Sequence, residues 1–301
     1  MRAALIEALG EPPRPAEVDE PEAAEGEVLV DVECVPLNPI DIAVGSGRFY
    51  GGNPELPFVP GAEAVGRRRD TGARVWVHGR RTGGLAELVA APEESLAPVP
   101  EGADPALAGA CGIAGMAGWL PVVWRAPVRP DDRVLVLGAT GTVGLVALQA
   151  AKLRGAFVVA AGRDPDGLAR ALEAGADEAV HIEEIGRFEP TYVVDPLWGA
   201  PLEAALEAAA RGARIVNIGQ SAGPEATLTS AAVRGKVLDI YGFSNYAVPR
   251  DVLHREYAAL VGHVTRGEVE LEVERVPFEQ VADAWRRQAD GSATAKLVVC
   301  F

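Results

Sequence analysis

The chain has 301 residues, 49% of them hydrophobic and 24% charged, and carries a formal net charge of −15. These fractions are near the averages for soluble globular proteins, which argues against a disordered chain or a fibrous repeat, and the length favours two domains. The excess of negative charge excludes nucleic acid as an expected partner, because nucleic-acid binding depends on lysine and arginine side chains that neutralise phosphates.

The apolar runs and the cysteines predict a cytoplasmic protein with no membrane partner. No apolar run approaches the roughly 18 to 20 residues that span a bilayer, and the opening MRAALIEALG is typical of a strand and a turn. Cys34, Cys111 and Cys300 are far apart and form no CxxC pair. This spacing argues against a disulfide framework or a thiolate metal cluster and favours buried, reduced thiols.

The pattern of apolar stretches changes near residue 130. Before it, short stretches such as EVLVDVECVPLNP and GGLAELVAAP alternate with turn residues, which is typical of antiparallel β-sheet. From Asp132 to about Gly242, fully apolar strands alternate with helices, which predicts a parallel, doubly wound sheet covered on both faces. The final β elements are expected to return to the first domain. The prediction is an α/β chain with domains at 1–120 and 121–265 and a return segment at 266–301.

A glycine-rich turn joins the first strand of the α/β region to its first helix. In RVLVLGATGTVGLVALQ the glycine spacing suits a tight turn, close approach of a pyrophosphate and close packing of helix on strand. The helix N-terminus adds unpaired N–H groups and the positive end of a dipole. Alanine replaces the first glycine of the usual GxGxxG pattern, so the strand and helix context carries the prediction. The predicted cofactor-binding residues are Gly138, Ala139, Thr140, Gly141, Thr142, Val143 and Gly144.

The end of the second strand of this region indicates which nicotinamide cofactor binds. NAD-specific sites usually place a carboxylate there, on the ribose 2′-hydroxyl, but this chain has Gly162 and Arg163. The guanidinium of Arg163 can hold a 2′-phosphate through charge-assisted hydrogen bonds, so NADPH is predicted. The alternative is that Arg163 is a surface charge that pairs with Asp164 or Asp166.

Short motifs in register extend the prediction to the whole chain. With NPID at 38–41, PFVPGAEA at 57–64, IAGMAGW at 113–119 and the GATGTVG turn, the sequence resembles the zinc-free quinone oxidoreductase branch of the medium-chain dehydrogenase/reductase superfamily. The resemblance implies a GroES-like catalytic domain and a Rossmann cofactor domain. Zinc-dependent relatives carry metal ligands where this chain has Asn38 and Pro39, Ala62 and Ile113, so no metal site is expected.

The resemblance also implies a reaction and its residues. The family reaction is hydride transfer from NADPH to a conjugated carbonyl, so the expected partner is a small-molecule quinone or enone. Tyr50 stands where related enoyl thioester reductases have a tyrosine acid, although it can equally be a lid over the nicotinamide. Asn38 and Asp41 either orient the substrate or close a turn.

Further cofactor contacts and a homodimer are implied by the same likeness. Gly219 and Phe243 are expected to lie against the nicotinamide and its ribose, and Lys296 is expected near the cofactor. The stretch KVLDIYGF resembles the edge strand through which such domains pair into dimers. Two alternatives stay open, which are an enoyl thioester reductase of the polyketide type and an NADPH-binding sensor without turnover.

Overall fold

The computed structural model describes residues 1–49 and 51–301, and in this part of the chain two large sheets account for most of the strands. In chain order the strands are β1 (Arg2–Leu5), β2 (Arg14–Glu17), β3 (Glu27–Pro36), β4 (Ala64–Arg68), β5 (Arg74–Val77), β6 (Leu88–Pro92), β7 (Leu96–Pro98), β8 (Arg133–Leu137), β9 (Phe157–Gly162), β10 (Glu178–His181), β11 (Tyr192–Asp195), β12 (Arg214–Asn217), β13 (Asp239–Gly242), β14 (Val273–Pro277) and β15 (Lys296–Cys300).

The helices vary from one and a half turns to more than four. They are α1 (Pro39–Gly45), α2 (Pro105–Ala110), α3 (Met116–Leu120), α4 (Thr142–Leu153), α5 (Pro165–Glu173), α6 (Gly199–Ala208), α7 (Ser230–Lys236), α8 (Arg250–Thr265) and α9 (Val281–Asp290), with short 3-10 or π segments at Glu93–Ser95, Cys111–Gly115, Pro121–Arg125, Ile182–Arg187, Asn245–Ala247 and Phe278–Gln280.

The chain divides into two compact units. The first unit contains Met1–Ala114 and Arg250–Phe301, and the second contains Gly115–Pro249. The sequence placed Arg250–Thr265 in the cofactor domain, whereas the structure adds this helix to the first unit. The reason is Tyr257, which is fully buried, stacks on Trp76 with 4.5 Å between ring centroids, and donates its hydroxyl to the carbonyl of Ala108.

The second unit is built on a six-stranded sheet in the order β10-β9-β8-β11-β12-β13. Every pairing in this sheet is parallel. The central strands are mostly apolar because helices cover both faces, and the side chains of Val134–Leu137 and of β11 are buried. The predicted doubly wound Rossmann sheet is therefore confirmed.

The first unit contains a seven-stranded sheet in the order β14-β15-β3-β4-β5-β7, with β6 also paired to β3. All of its pairings are antiparallel except that of β14 with β15. Strand β15 lies beside β3, so the chain does return to complete the first sheet, and the predicted mainly antiparallel, GroES-like domain is confirmed.

The prediction of three reduced thiols is wrong for two of them. Cys34 on β3 and Cys300 on β15 are opposed across an antiparallel pair, with their Cα atoms 4.2 Å apart, and they form a disulfide. The sequence separation of 266 residues hid this contact. Cys111 is a buried free thiol, as expected.

The statement that no apolar run approaches a membrane-spanning length is also wrong. The helical stretch Pro105–Arg125 is 21 residues long, and its length and composition would allow it to cross a membrane. However, 78% of its most apolar window is buried inside the protein. Its alanines and glycines allow close packing, which is typical of a core helix.

Tyr257 provides a test of how α8 is held on the first unit. We expect Tyr257→Phe to lower the free energy of unfolding by about 1 kcal/mol, since one hydrogen bond is lost. Tyr257→Ala is expected to cost about 3–5 kcal/mol, since the ring that stacks on Trp76 is also lost. Urea unfolding measures both, with Leu172→Ala as a control at an exposed position. Equal losses for Phe and Ala would show that the ring contributes nothing to packing.

Candidate functional site

The glycine-rich turn of the second unit has the geometry of an anion site. Strand β8 ends at Leu137 and Gly138 follows with φ of +61°, a left-handed conformation that favours glycine. A Cβ atom at Gly144 would overlap the carbonyl of Gly138 and lie 2.6 Å from Ala139 Cα. Gly144 is therefore required by the close approach of α4 to the turn.

The N-terminus of α4 faces open space. Gly141 is the N-cap residue and no side chain caps the helix, so N–H groups of its first turn are available to a ligand. A Cβ atom placed on Gly141 would have only the carbonyl of Gly138 within 4 Å, at 3.9 Å. The first turn contains no acidic side chain that would repel phosphate.

The other predicted cofactor residues follow the carboxyl ends of neighbouring parallel strands. Gly162 ends β9, Gly219 lies two residues after β12, and Phe243 follows β13 directly. The Phe243 amide donates to the carbonyl of Asn217 at 2.9 Å, which fixes its backbone. Because parallel strands end at one edge of a sheet, these residues share the edge that carries the turn after β8.

Arg163 is exposed at this edge and has no ion-pair partner among the described residues. Asp164 caps α5 instead, since its carboxylate accepts the Gly167 amide at 2.8 Å and lies 3.9 Å from Arg170. The alternative that Arg163 pairs with Asp164 or Asp166 is therefore not observed. Its guanidinium remains available to a ligand.

Asp195 is a residue of this edge that the sequence interpretation missed. It ends β11, is fully buried, and accepts the amides of Leu197 and Trp198 at 3.0 and 2.8 Å. Asn217 donates to its second oxygen at 2.8 Å and to the carbonyl of Gly219 at the same distance. Burial raises the pKa of Asp195. A lone carboxylate that ends an apolar strand, as in TYVVD, is the signal that could have identified it.

A buried polar cluster lies in the first unit and contains two of the predicted catalytic residues. Asn38 and Asp41 are each 1% exposed, Glu63 is fully buried and Lys296 is 5% exposed. Asn38 Nδ2 donates to Glu63 Oε1 at 2.7 Å, and Asn38 Oδ1 accepts from Lys296 Nζ at 2.6 Å. Asn38 thus links a buried carboxylate to a buried ammonium group.

Glu63 is the acceptor at the centre of this cluster. Its Oε2 atom accepts from Trp76 Nε1 at 2.7 Å and from the Ile113 amide at 2.8 Å. The sequence interpretation quoted Glu63 within PFVPGAEA but gave it no role. The signal was present, because a single carboxylate inside an apolar stretch is buried only when it is paired.

Burial shifts the pKa values of all three ionisable groups towards their neutral forms. It raises the pKa of Glu63 to about 7 and that of Asp41 to about 6, against hydrogen bonds and the charge of Lys296. It lowers the pKa of Lys296 to about 8, against the charges of Glu63 and Asp41. The cluster therefore contains groups that can exchange protons near neutral pH.

The polar atoms of Asn38 and Asp41 are engaged within the first unit. The second Asn38 Nδ2 contact is the carbonyl of Pro36 at 3.3 Å. Asp41 accepts the Asn38 amide at 2.7 Å and the Ala62 amide at 2.8 Å, which closes the turn that begins α1. Of the two roles left open by the sequence, these contacts correspond to the turn role.

Lys296 and Tyr50 complete the predicted site. The Lys296 ammonium donates to the carbonyl of Leu37 at 2.7 Å as well as to Asn38, so two of its three protons are used inside the first unit. Its contact with the cofactor stays a prediction. Tyr50 lies outside the described residues, and its role stays a prediction too.

The positions of the metal ligands in zinc-dependent relatives carry no metal-binding side chains here. Pro39 begins α1, and Ala62 and Ile113 offer the cluster their backbone amides. The described residues contain no group of three or more His, Cys, Asp or Glu side chains arranged to hold a metal ion.

Comparison with known proteins gives the family. The model of the alcohol dehydrogenase GroES-like domain matches residues 24–101, and that of the zinc-binding dehydrogenases matches residues 142–264. The quinone oxidoreductase of Thermus thermophilus, whose complex with NADPH is also described, is 32% identical over the whole of both chains with a TM-score of 0.88. This chain belongs to the medium-chain dehydrogenase/reductase superfamily, in its quinone oxidoreductase branch.

Two further relatives are more distant. Human quinone oxidoreductase is 26% identical over 294 residues, which cover 91% of this chain and 88% of the human protein. A phenolphthiocerol/phthiocerol polyketide synthase subunit of Mycobacterium tuberculosis is 27% identical over 307 residues, 91% of this chain but only 13% of that protein. The chain is thus an oxidoreductase of the quinone oxidoreductase type, acts on a small molecule, and belongs to a nicotinamide-dependent family.

The electrostatic coupling of Glu63 with Lys296, which Asn38 bridges, gives a testable pH dependence. Lys296→Met removes the cation that favours ionised Glu63, so the pKa of Glu63 in the folded protein rises further above its value in the unfolded chain. The folded state then loses stability as the pH rises towards that pKa. We expect a loss of about 3–5 kcal/mol of unfolding free energy at pH 7.5, where Glu63 is mostly ionised and Lys296 is still mostly protonated in the folded protein, and a smaller loss at pH 6, where folded Glu63 is mostly protonated. Urea unfolding at the two pH values measures it.

The control is the double variant Glu63→Gln, Lys296→Met. It removes both charges, and a flipped Asn38 amide can bond to the new glutamine, so part of the stability should return at pH 7.5. A Lys296→Met loss that is equal at both pH values, with no recovery in the double variant, would contradict the pairing.

Proposed function

We propose that this chain is an NADPH-dependent reductase of quinones and other α,β-unsaturated carbonyl compounds that works without zinc. The observation that carries the proposal is the closed hydrogen-bond network of Asn38, Glu63 and Lys296. It includes Asn38 and accepts the amide of Ile113, two of the positions at which the family resemblance implies metal ligands in zinc-dependent relatives. Polarisation of the acceptor must then come from hydrogen bonds.

A zinc ion does not fit these residues. Ala62 and Ile113 have apolar side chains, and Asn38 Oδ1 already accepts from an ammonium group at 2.6 Å, whose charge repels a divalent cation. The zinc-binding dehydrogenase model gives no support for a metal, because the matched residues 142–264 include none of these positions.

The residues of the second unit fit NADPH. The turn and the uncapped N-terminus of α4 suit its pyrophosphate, and exposed Arg163 suits its 2′-phosphate at a strand end with no carboxylate on Gly162. When bound there, NADPH supplies a hydride to the conjugated acceptor.

The chain must supply the proton that completes the reduction of a quinone to a hydroquinone. We assign this proton to the phenol of Tyr50, as the family resemblance implies. Asn38 and Asp41 act as positioning residues, because their polar atoms hold Glu63, Lys296 and the start of α1.

Reduction of an enoyl thioester is the second candidate. The observation in its favour is the likeness to the mycobacterial polyketide synthase subunit, which extends over 91% of this chain. A homodimer formed through β13 is part of the proposal, since β13 is a terminal strand of the six-stranded sheet and a terminal strand has an edge open to pairing.

Turnover of NADPH with a panel of acceptors tests the function. The panel contains 1,4-benzoquinone, 2-cyclohexen-1-one and crotonyl-coenzyme A, and oxidation is followed by absorbance at 340 nm. We expect the highest kcat/KM with the quinone, in protein whose zinc content is far below stoichiometric. In the same assay, Tyr50→Phe is expected to lower turnover of the enone at least about tenfold, since a proton donor is lost.

The other outcomes separate the alternatives. A higher kcat/KM with the thioester would favour the second candidate. Tight NADPH binding without oxidation by any acceptor would indicate a sensor, and stoichiometric zinc would overturn the metal-free mechanism. A Tyr50→Phe variant of full rate would remove Tyr50 from catalysis.

Arg163 gives an independent test of cofactor choice. A charge-assisted hydrogen bond contributes about 1.5–3 kcal/mol, so Arg163→Ala should weaken NADPH binding by about tenfold to a hundredfold. NADH lacks the 2′-phosphate, and its affinity should change by less than about twofold. Fluorescence titration measures both, with Arg187→Ala as an exposed control in the same unit. Equal affinity for the two cofactors in the unmodified protein would refute the assignment.

A further inference from the structure

A basic pocket of about 450 Å³ lies in the second unit, away from the proposed cofactor site. It is lined by Arg125, Arg129, Arg154 and Arg214, together with Tyr241 and the loop 126–130. No aspartate or glutamate is among the lining residues that the structure describes. In a chain of net charge −15, four guanidinium groups around one concavity form a local reversal of charge.

Arg214 holds the pocket together. One end of its guanidinium donates to the carbonyl of Pro127 at 2.7 Å and the other pairs with Asp132, while its Cζ lies 5.0 Å from the centre of the Tyr192 ring. This side chain therefore fixes the loop to the start of β12. Its charge is balanced by Asp132, so the other three arginines carry the net charge of the pocket.

Arg125 and Arg154 are anchored through Nε and present their outer nitrogens. Arg125 Nε donates to the carbonyl of Gly242 at 3.1 Å, and its Cζ lies 4.8 Å from the centre of the Tyr241 ring. Arg154 Nε donates to the carbonyl of Val128 at 3.4 Å. Their terminal nitrogens, and the whole guanidinium of exposed Arg129, have no partner among the described residues. Anchored forks of this kind suit bidentate binding of a tetrahedral oxyanion.

The pocket is separate from the glycine-rich turn. The loop 126–130 precedes β8, and the turn follows it, so the five residues of this strand place the loop end of the pocket about 16 Å from the turn. The Arg125 end lies at β13, where Arg125 donates to the carbonyl of Gly242, and β13 is three strand spacings, or about 14 Å, from β8. Helix α4 gives a second measure, because its N-terminus is at the turn and Arg154 follows its end, twelve residues and about 18 Å away. The cofactor pyrophosphate on the turn does not reach the pocket.

We propose that this basic pocket binds the phosphate group of a phosphorylated small molecule. Arg125, Arg154 and Arg129 would supply the charge-assisted hydrogen bonds. The volume exceeds that of one phosphate group, and Tyr241, Pro127 and Pro130 offer apolar surface to the organic part of the ligand. The proposal does not depend on the reaction or on the acceptor, because no residue that lines the pocket belongs to the predicted cofactor-binding residues or to the polar cluster around Asn38.

Calorimetric titration with pyrophosphate and with adenosine 3′,5′-bisphosphate, in the presence of saturating NADPH, tests the site. The variant is the double substitution Arg125→Gln, Arg154→Gln. The matched control is Arg187→Gln, Arg234→Gln, which removes the same charge from the same unit outside the pocket. We expect the pocket variant to weaken binding of both probes at least tenfold and the control to leave it within about twofold.

The two probes distinguish the source of the phosphate. Tighter binding of the bisphosphate would show that the pocket also recognises the organic part of its ligand. Equal binding of the two probes would show that it recognises the phosphate group alone. Both results support the site. Absence of binding in the unmodified protein would overturn the proposal. So would an equal loss in the two double variants, which would indicate a general effect of charge. Any residual binding at the turn is recognised because it is insensitive to the pocket substitutions.

Discussion

The buried Glu63 carboxylate is the constraint on which the first unit depends. Its three hydrogen-bond donors come from Asn38 before α1, Trp76 on β5 and Ile113 after α2. Through Asn38 it is joined to Lys296 on β15, at the other end of the chain. An unpaired charge at this depth costs several kcal/mol, so the carboxylate is tolerated only while all of these segments are in place. The Glu63 side chain thereby fixes the relative positions of segments that are far apart in the sequence.

The polarity of the parallel sheet organises the second unit in a different way. Every strand of this sheet runs in one direction, so loops of one edge follow strands and loops of the other edge precede them. The first edge carries the glycine turn, Arg163 and Asp195. The second carries Arg129 and Arg214, which lie at the opposite ends of the strands from the proposed dinucleotide site. The length of a strand separates the proposed NADPH site from the loop end of the proposed phosphate pocket.

The sequence predicted what local patterns determine. Fully apolar strands and the glycine spacing after Leu137 predicted the parallel sheet and the turn, because both depend on neighbours within a few residues. The pairing of Asn38 with Lys296 spans 258 residues and that of Cys34 with Cys300 spans 266, so no local pattern carries them. The same applies to α8, whose place in the first unit is decided by the contact of Tyr257 with Trp76. Glu63 and Asp195 were detectable as lone carboxylates in apolar stretches, but their partners were not.

The cluster around Asn38 also explains why conjugated acceptors suit the proposed metal-free reaction. Positive charge persists there as the Lys296 ammonium, but its pKa is lowered to about 8 while that of Glu63 is raised to about 7, so the two charges balance near neutrality. Such a pair has no open coordination position and cannot act as a Lewis acid on the carbonyl oxygen. A quinone or enone needs less help, because hydride addition at its carbon terminus spreads the developing negative charge over a conjugated system. Hydrogen bonds and one proton donor are then sufficient, and these are the groups that a chain without metal ligands at 38, 62 and 113 can provide.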